Sequence, residues 1–239
     1  MPKCIKIEVL YPEFCNLYGD RGNIDYLAQK IELCGYETEL INTRLKDEPA
    51  FLNQQVDMLY IGPCTERAQE LILKRLREFK NEIISIIDKG TVILATGNGF
   101  ELFGEGIEAV NGEILPALAF FPFTSKRFDG LRYNEITKGI FGSVPVCGFK
   151  NQLSHSYGNI KYPFLEITEG SGLNPKSNSE GLHVNNLFAT YLLGPLLALN
   201  PPFSEEILKL LLKDDFKSIP LPFEDQSYML RMLEKGKKK

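Results

Sequence analysis

Apolar residues along the first hundred positions follow two rhythms. Lys3 to Leu10 alternates around Ile5, Ile7 and Val9 and predicts a strand; Tyr36 to Ile41, Val56 to Ile61 and Val92 to Ala95 predict three more. Between these runs the spacing turns helical. Ile24, Leu27, Ala28 and Ile31 share a face after the turn-rich stretch Asn16 to Asn23, with Gly35 closing the segment. Glu66 to Lys89 predicts the strongest helix. Leu71, Ile72, Leu76, Phe79, Ile83 and Ile87 form its apolar face, Lys74, Arg75, Arg77, Glu78 and Lys80 its wet one, and Gly90 stops it. The order β-α-β-β-α-β with short loops predicts an α/β fold, an open and mostly parallel sheet with helices on both faces. Ligands are expected beyond the carboxyl ends of its strands.

The pattern changes after Gly106. To Thr168 it is short, strand-like and broken by turns, and Gly170 to Gly181 is a loop of low hydrophobicity expected to be exposed and mobile. Leu187 to Leu192 predicts another buried strand. A helix follows over Ser204 to Lys213 with Ser204 as its N-cap, and a last amphipathic one around Gln226 to Leu233. No repeat or linker divides the chain, so one domain over residues 1–239 is expected.

Composition narrows the function. A net charge of −4 gives no basic footprint for nucleic acid; the run Lys237-Lys238-Lys239 reads as a solvated tail, with attraction to an acidic membrane surface as the lesser alternative. Five cysteines (Cys4, Cys15, Cys34, Cys64, Cys147) lack any CxxC pair and only His155 and His183 accompany them, so no metal site is expected. No phosphate-binding motif is present and no cofactor is expected. Neither a signal peptide nor a membrane span is visible, and a reducing cytoplasm is the expected location.

The chemistry centres on Thr91 to Gly104, TVILATGNGFELFG. A buried strand runs into Thr96-Gly97-Asn98-Gly99 and restarts as a helix at Phe100, the shape of a nucleophile elbow. The corner residue of an elbow is a Ser or Cys at strained dihedrals; here it is Gly97, which can do no nucleophilic chemistry but meets the demand for positive φ without steric cost.

Several phrases together resemble class I glutamine amidotransferases of the cobyric-acid-synthase (CobB/CobQ-like) type, and among them most the small glutaminase subunits of lipid II isoglutaminyl synthases. They are NLYGDRGN (Asn16–Asn23), YIGPCTERAQ (Tyr60–Gln69), GFELFG (Gly99–Gly104) and TYLLGPLL (Thr190–Leu197), so the resemblance covers nearly the whole chain. It implies a flavodoxin-like α/β fold and a Mur-ligase-like protein partner. In that family a Cys thiolate attacks the glutamine side-chain amide, a His moves the proton, and backbone N–H groups hold the oxyanion. Carried over by position, the Cys falls on Gly97 and the His on Leu193. The oxyanion diglycine falls on Pro63-Cys64, and proline has no N–H to give. The segment carrying an acid and then Asn reads Phe149-Lys150-Asn151, and a substrate-binding Arg falls on Arg127. The resemblance thus implies a remnant glutamine pocket at Gly62, Cys64, Asn98, Gly99, Phe100, Arg127 and Asn151.

Replacement of the lost pair would need another thiol and base. Cys64 should share the rim with Gly97 and sits before a helix N-terminus, which favours a thiolate; otherwise it is a small buried residue in the place of a glycine. Cys15 offers the same choice, while Cys4, Cys34 and Cys147 read as core. His155 is placed in a loop that could approach the site. His183 falls at the far end of the strand that leads to Leu193, too distant at about 3.3 Å per residue. Three functions are consistent with these residues: an inactive partner or regulatory subunit of a Mur-ligase-like amide-forming enzyme, a glutaminase with a relocated nucleophile supplying ammonia to a cell-wall precursor or corrinoid, or a small-molecule binding module.

Overall fold

A computed structural model describes residues 4–130 and 132–234, so Lys3 and the Lys237–Lys239 run lie outside the described residues. Four strands open the chain: β1 (Cys4–Leu10), β2 (Glu37–Thr43), β3 (Met58–Ile61) and β4 (Val92–Thr96). Ten more follow among the described residues: β5 (Gly106–Glu108), β6 (Ile114–Pro116), β7 (Phe123–Arg127), β8 (Tyr133–Phe141), β9 (Val144–Gln152), β10 (Ser154–Gly158), β11 (Leu165–Glu169), β12 (Ser179–Glu180), β13 (Leu182–Val184) and β14 (Leu187–Thr190). The helices are α1 (Gly22–Leu33), α2 (Glu66–Leu76), α3 (Lys80–Asp88), α4 (Leu196–Leu199), α5 (Pro201–Leu212) and α6 (Pro222–Leu233).

The main sheet has the order β13-β14-β4-β3-β1-β2, parallel from β14 to β2 with β13 antiparallel at its edge. The runs Met58–Ile61, Val92–Thr96 and Leu187–Thr190 are buried throughout, as strands covered on both faces must be. Alternation then sorts their side chains. Leu59, Ile61, Ile93 and Ala95 join Ile72, Leu73, Leu76, Ile83 and Ile87 of α2 and α3 in one core. Met58, Tyr60, Val92 and Leu94 point the other way and join α1, α4 and α5 in a second. Two smaller sheets, β10-β7-β5-β6 and β12-β11-β8-β9, are built from the chain between β4 and β13.

Several local expectations are corrected. The predicted helix Glu66–Lys89 is broken by a 3₁₀ turn at Arg77–Phe79, where Phe79 leaves helical dihedrals (φ −115, ψ 22). Its ring packs edge-on against Phe51 and under the Arg75 guanidinium, and these contacts take precedence over helical continuity. Within α2 the buried face runs through Ala68, Ile72, Leu73 and Leu76, so Leu71 is exposed while Leu73 is buried. Ser204 is no N-cap. It lies inside α5, and its hydroxyl donates to the Leu197 carbonyl (2.7 Å). Asn200 holds that junction instead, its amide pairing with both the N–H and the carbonyl of Cys147. The polar Gly170–Gly181 loop is partly interior: Gly172 and Leu173 are buried, and the Gly172 carbonyl accepts the Lys150 ammonium (2.7 Å). Of the three cysteines read as core only Cys147 is buried; Cys4 is exposed and Cys34 intermediate.

Candidate functional site

Parallel register brings the ends of β3, β4 and β14 together, with Ile61 beside Ala95 and Thr96 beside Thr190. The loops leaving them, with the loop after β1, Arg127, Arg132 and the β9–β10 corner, border a cavity of about 230 Å³. Behind the lining, the first loop is tied to the sheet by Asp20. The buried carboxylate accepts the Tyr60 hydroxyl (2.7 Å) and the Thr96 hydroxyl, which joins the first loop to the base of the elbow.

The elbow is present in its backbone: β4 runs directly into a 3₁₀ segment, Gly97–Phe103, and Gly97 has φ +58. Its surroundings are not those of a nucleophile. A Cβ at position 97 would lie 2.6 Å from the Pro63 Cβ and 3.1 Å from the Leu193 Cδ2. Pro63 and Leu193 thus close over the corner where a catalytic side chain would stand. Leu193 is fixed there by paired backbone bonds with Phe149 (both 2.9 Å).

The oxyanion side is equally occupied. The Cys64 N–H donates to Asn98 Oδ1 and Asn98 Nδ2 donates to the Cys64 carbonyl (both 2.9 Å). This clasp consumes the N–H that follows Pro63, which itself has none. Gly62 keeps its lack of a side chain for packing, since a Cβ there would be 2.6 Å from the Cys15 carbonyl oxygen.

Cys64 borders the cavity but is buried, with its thiol beside that of Cys15. That contact and burial push the Cys15 thiol well above its ordinary value, so Cys15 is held as a thiol. Neither histidine borders the cavity. His155 lies in strand β10 rather than in a loop, packed between Phe128 and Tyr133, and burial favours its neutral form. His183 is on β13, the antiparallel neighbour of β14 rather than part of the same strand, with its ring stacked on Phe188.

One wall carries a polar network. Arg127 Nη2 donates to Gln69 Oε1 (2.7 Å), and Gln69 Nε2 donates to Glu101 Oε2 and the Asn98 carbonyl (both 2.9 Å). The Tyr191 hydroxyl donates to Glu101 Oε1 (2.9 Å) and meets Ser156. Burial pushes the Glu101 carboxyl above its ordinary value, against the pull of these donors. Farther in, Lys150 and Glu180 form a fully buried pair at 4.0 Å, with the Thr190 hydroxyl and the Tyr191 N–H also on the carboxylate.

Of the expected pocket residues, Cys64, Asn98, Arg127 and Asn151 line the cavity. Gly62, Gly99 and Phe100 do not; they are packed behind it, Phe100 stacked on Phe123 at 4.6 Å. The sequence reading missed Gln69, Glu101, Tyr191 and Arg132, which also line it. A signal existed for the first two, as polar residues among the apolar positions of a helix and of the elbow segment.

Residues 6–201 match the CobB/CobQ-like glutamine amidotransferase domain. The chain belongs to this family. Within it, the chain is 28% identical over 218 residues to the lipid II isoglutaminyl synthase (glutamine-hydrolyzing) subunit GatD of Staphylococcus aureus, covering 87% of this chain and 83% of that one. It is 26% identical over 236 residues to the subunit of the same name from Streptococcus pneumoniae, covering 94% and 87%. Two crystal structures of glutamine amidotransferases share the fold. One matches with TM-score 0.55 at 15% identity, covering 86% of this chain and 98% of its own. The other, from Thermotoga maritima, has TM-score 0.53 at 9% identity, covering 95% and 92%. This family member therefore keeps the amidotransferase fold and the elbow backbone, with a glycine at the corner.

The wall network predicts a pH response. A carboxyl raised in the folded state contributes stability that is complete below its ordinary value of 4.5 and is lost as pH rises through the raised one. Urea unfolding across this window should show the wild type losing stability with rising pH relative to Glu101→Gln, which does not titrate. A difference independent of pH, or one growing in the opposite direction, would remove Glu101 as the group responsible.

Proposed function

We propose that this chain is a glutaminase-fold subunit that no longer hydrolyses glutamine and acts as the partner or regulatory subunit of a Mur-ligase-like amide-forming enzyme. The observation that carries the reading is the closure over Gly97. The nucleophile position has no side chain, Pro63 and Leu193 fill the space above it, and the Cys64 N–H is committed to Asn98. Loss of thiol, base and oxyanion donors together removes each part of the acyl-transfer machinery. The partner role is supported by the curated relatives, both of which are subunits of a lipid II isoglutaminyl synthase. In this reading Cys64, Asn98, Arg127 and Asn151 are ligand contacts, and the cavity holds glutamine or a related small molecule without turning it over. The fold extends as one domain along the chain, and the place of action is the cytoplasm.

The test is ammonia release from glutamine by the purified chain, alone and with the ligase-like chain from the same source. No release above the protein-free control is expected in either case, and Cys64→Ser should behave as the wild type. Turnover that disappears in Cys64→Ser would instead establish a relocated nucleophile.

A further inference from the structure

Helix α6 is amphipathic, yet it faces the body of the protein with its polar side. None of its residues is buried. It is moored by hydrogen bonds and charge: the Tyr26 hydroxyl donates to Glu224 (2.7 Å), and the Lys30 ammonium lies 3.4 Å from the same carboxylate. The Tyr228 hydroxyl donates to the Pro145 carbonyl (2.7 Å) and Arg231 to the Leu199 carbonyl (2.9 Å). At the carboxyl end Lys138 donates to the Met232 carbonyl (3.1 Å) and to that of Glu234, an arrangement that also suits the helix dipole.

The opposite side carries the apolar residues. Phe223 is 86% exposed, Leu233 78%, Met229 64% and Leu230 59%. Phe223 and Leu230 are two turns apart, and Leu233 and Met229 both lie to one side of the line they make, so the four share one broad face. A protein gains nothing by exposing such a row to water, and a contiguous exposed apolar patch marks an interaction surface.

The residues beyond the helix select the occupant. Four of the five from Lys235 to Lys239 are lysines, Lys235, Lys237, Lys238 and Lys239, in a chain whose net charge is −4. A protein groove would be served by the apolar face alone. An apolar helical face continued by a lysine cluster supplies the two signals that together hold a chain at an anionic bilayer, apolar side chains at the headgroup boundary and cations at the lipid phosphates. The acids of the helix do not contradict this. Glu224 is engaged by Tyr26 and Lys30, and Asp225 sits in the first turn, at the other end of the helix from the lysines.

We propose that α6, with the lysine run after it, docks this chain on an anionic lipid surface, the helix lying in the plane of the interface. The proposal is independent of whether glutamine is hydrolysed. It adds a second attachment to the partner-subunit reading, one made by the chain itself.

The experiment is flotation of the full, untagged chain with vesicles of phosphatidylglycerol and phosphatidylcholine, against vesicles of phosphatidylcholine alone. Binding is expected only to the anionic vesicles and should weaken with added salt. Phe223→Ser/Leu233→Ser and Lys237→Gln/Lys238→Gln/Lys239→Gln should each lower it by roughly tenfold or more, with circular dichroism unchanged. Failure of the unmodified chain to float with anionic vesicles overturns the proposal. So does flotation that neither variant changes, or a dimer in sedimentation equilibrium that Phe223→Ser/Leu233→Ser dissociates, which would assign the face to a second copy.

Discussion

Returning a cysteine to the elbow is expected to destabilise this protein without activating it. In Gly97→Cys the new Cβ would stand 2.6 Å from the Pro63 Cβ, closer than side-chain carbons approach, at a φ of +58 that only glycine takes at no cost. Left-handed strain and overpacking together should cost about 3 kcal/mol. In a chain of this size the melting temperature should drop by roughly 6–12 °C. Gly97→Cys/Leu193→His should recover little, because the clash is with Pro63. Adding Pro63→Gly removes the obstructing ring and should return the steric part of the loss, leaving the strain of φ. Thermal unfolding of the three variants separates the two contributions, and ammonia release should be absent from the first two. A Gly97→Cys protein with wild-type stability, or a double variant that hydrolyses glutamine with Pro63 in place, would show that the corner is open and would remove the structural basis of the proposed inactivity.

The second large effect concerns the buried pair behind the cavity. Lys150 and Glu180 are both fully buried, and burial pushes the lysine down and the glutamate up from their ordinary values while their mutual attraction opposes both shifts. Lys150→Met leaves Glu180 as a buried acid without its cation and the Gly172 carbonyl without its donor. A loss of about 3–5 kcal/mol is expected, since breaking one side of a buried ion pair strands the other. Lys150→Met/Glu180→Gln should recover much of it. A neutral amide oxygen still accepts the Thr190 hydroxyl or the Tyr191 N–H and carries no charge to strand. A double-mutant cycle in urea gives the coupling directly. A single-variant loss below about 1 kcal/mol would mean that the pair contributes no more than an exposed one.

The frame of the molecule is legible in its residues alone. Alternation in β1 and the continuous apolar runs of β3, β4 and β14 predict a sheet covered on both faces, because buried strands need apolar residues at every position. The absence of a nucleophile and a base at the family's positions is equally legible, since Gly97 and Leu193 have no group that can attack or carry a proton. Where local pattern competed with packing, it failed. Phe79 broke the long helix to reach Phe51, Ser204 was drawn inside α5, and the polar Gly170–Gly181 loop delivered a carbonyl to a buried ammonium. That the elbow is closed as well as empty emerges only on folding. Pro63, Gly97 and Leu193 lie far apart in the chain and meet because the parallel strands that carry them end at one level. The outward turn of the apolar face of α6 is of the same kind. Periodicity shows that a helix has two faces, but the side turned inward depends on partners such as Tyr26, Lys30 and Lys138, which distant elements supply.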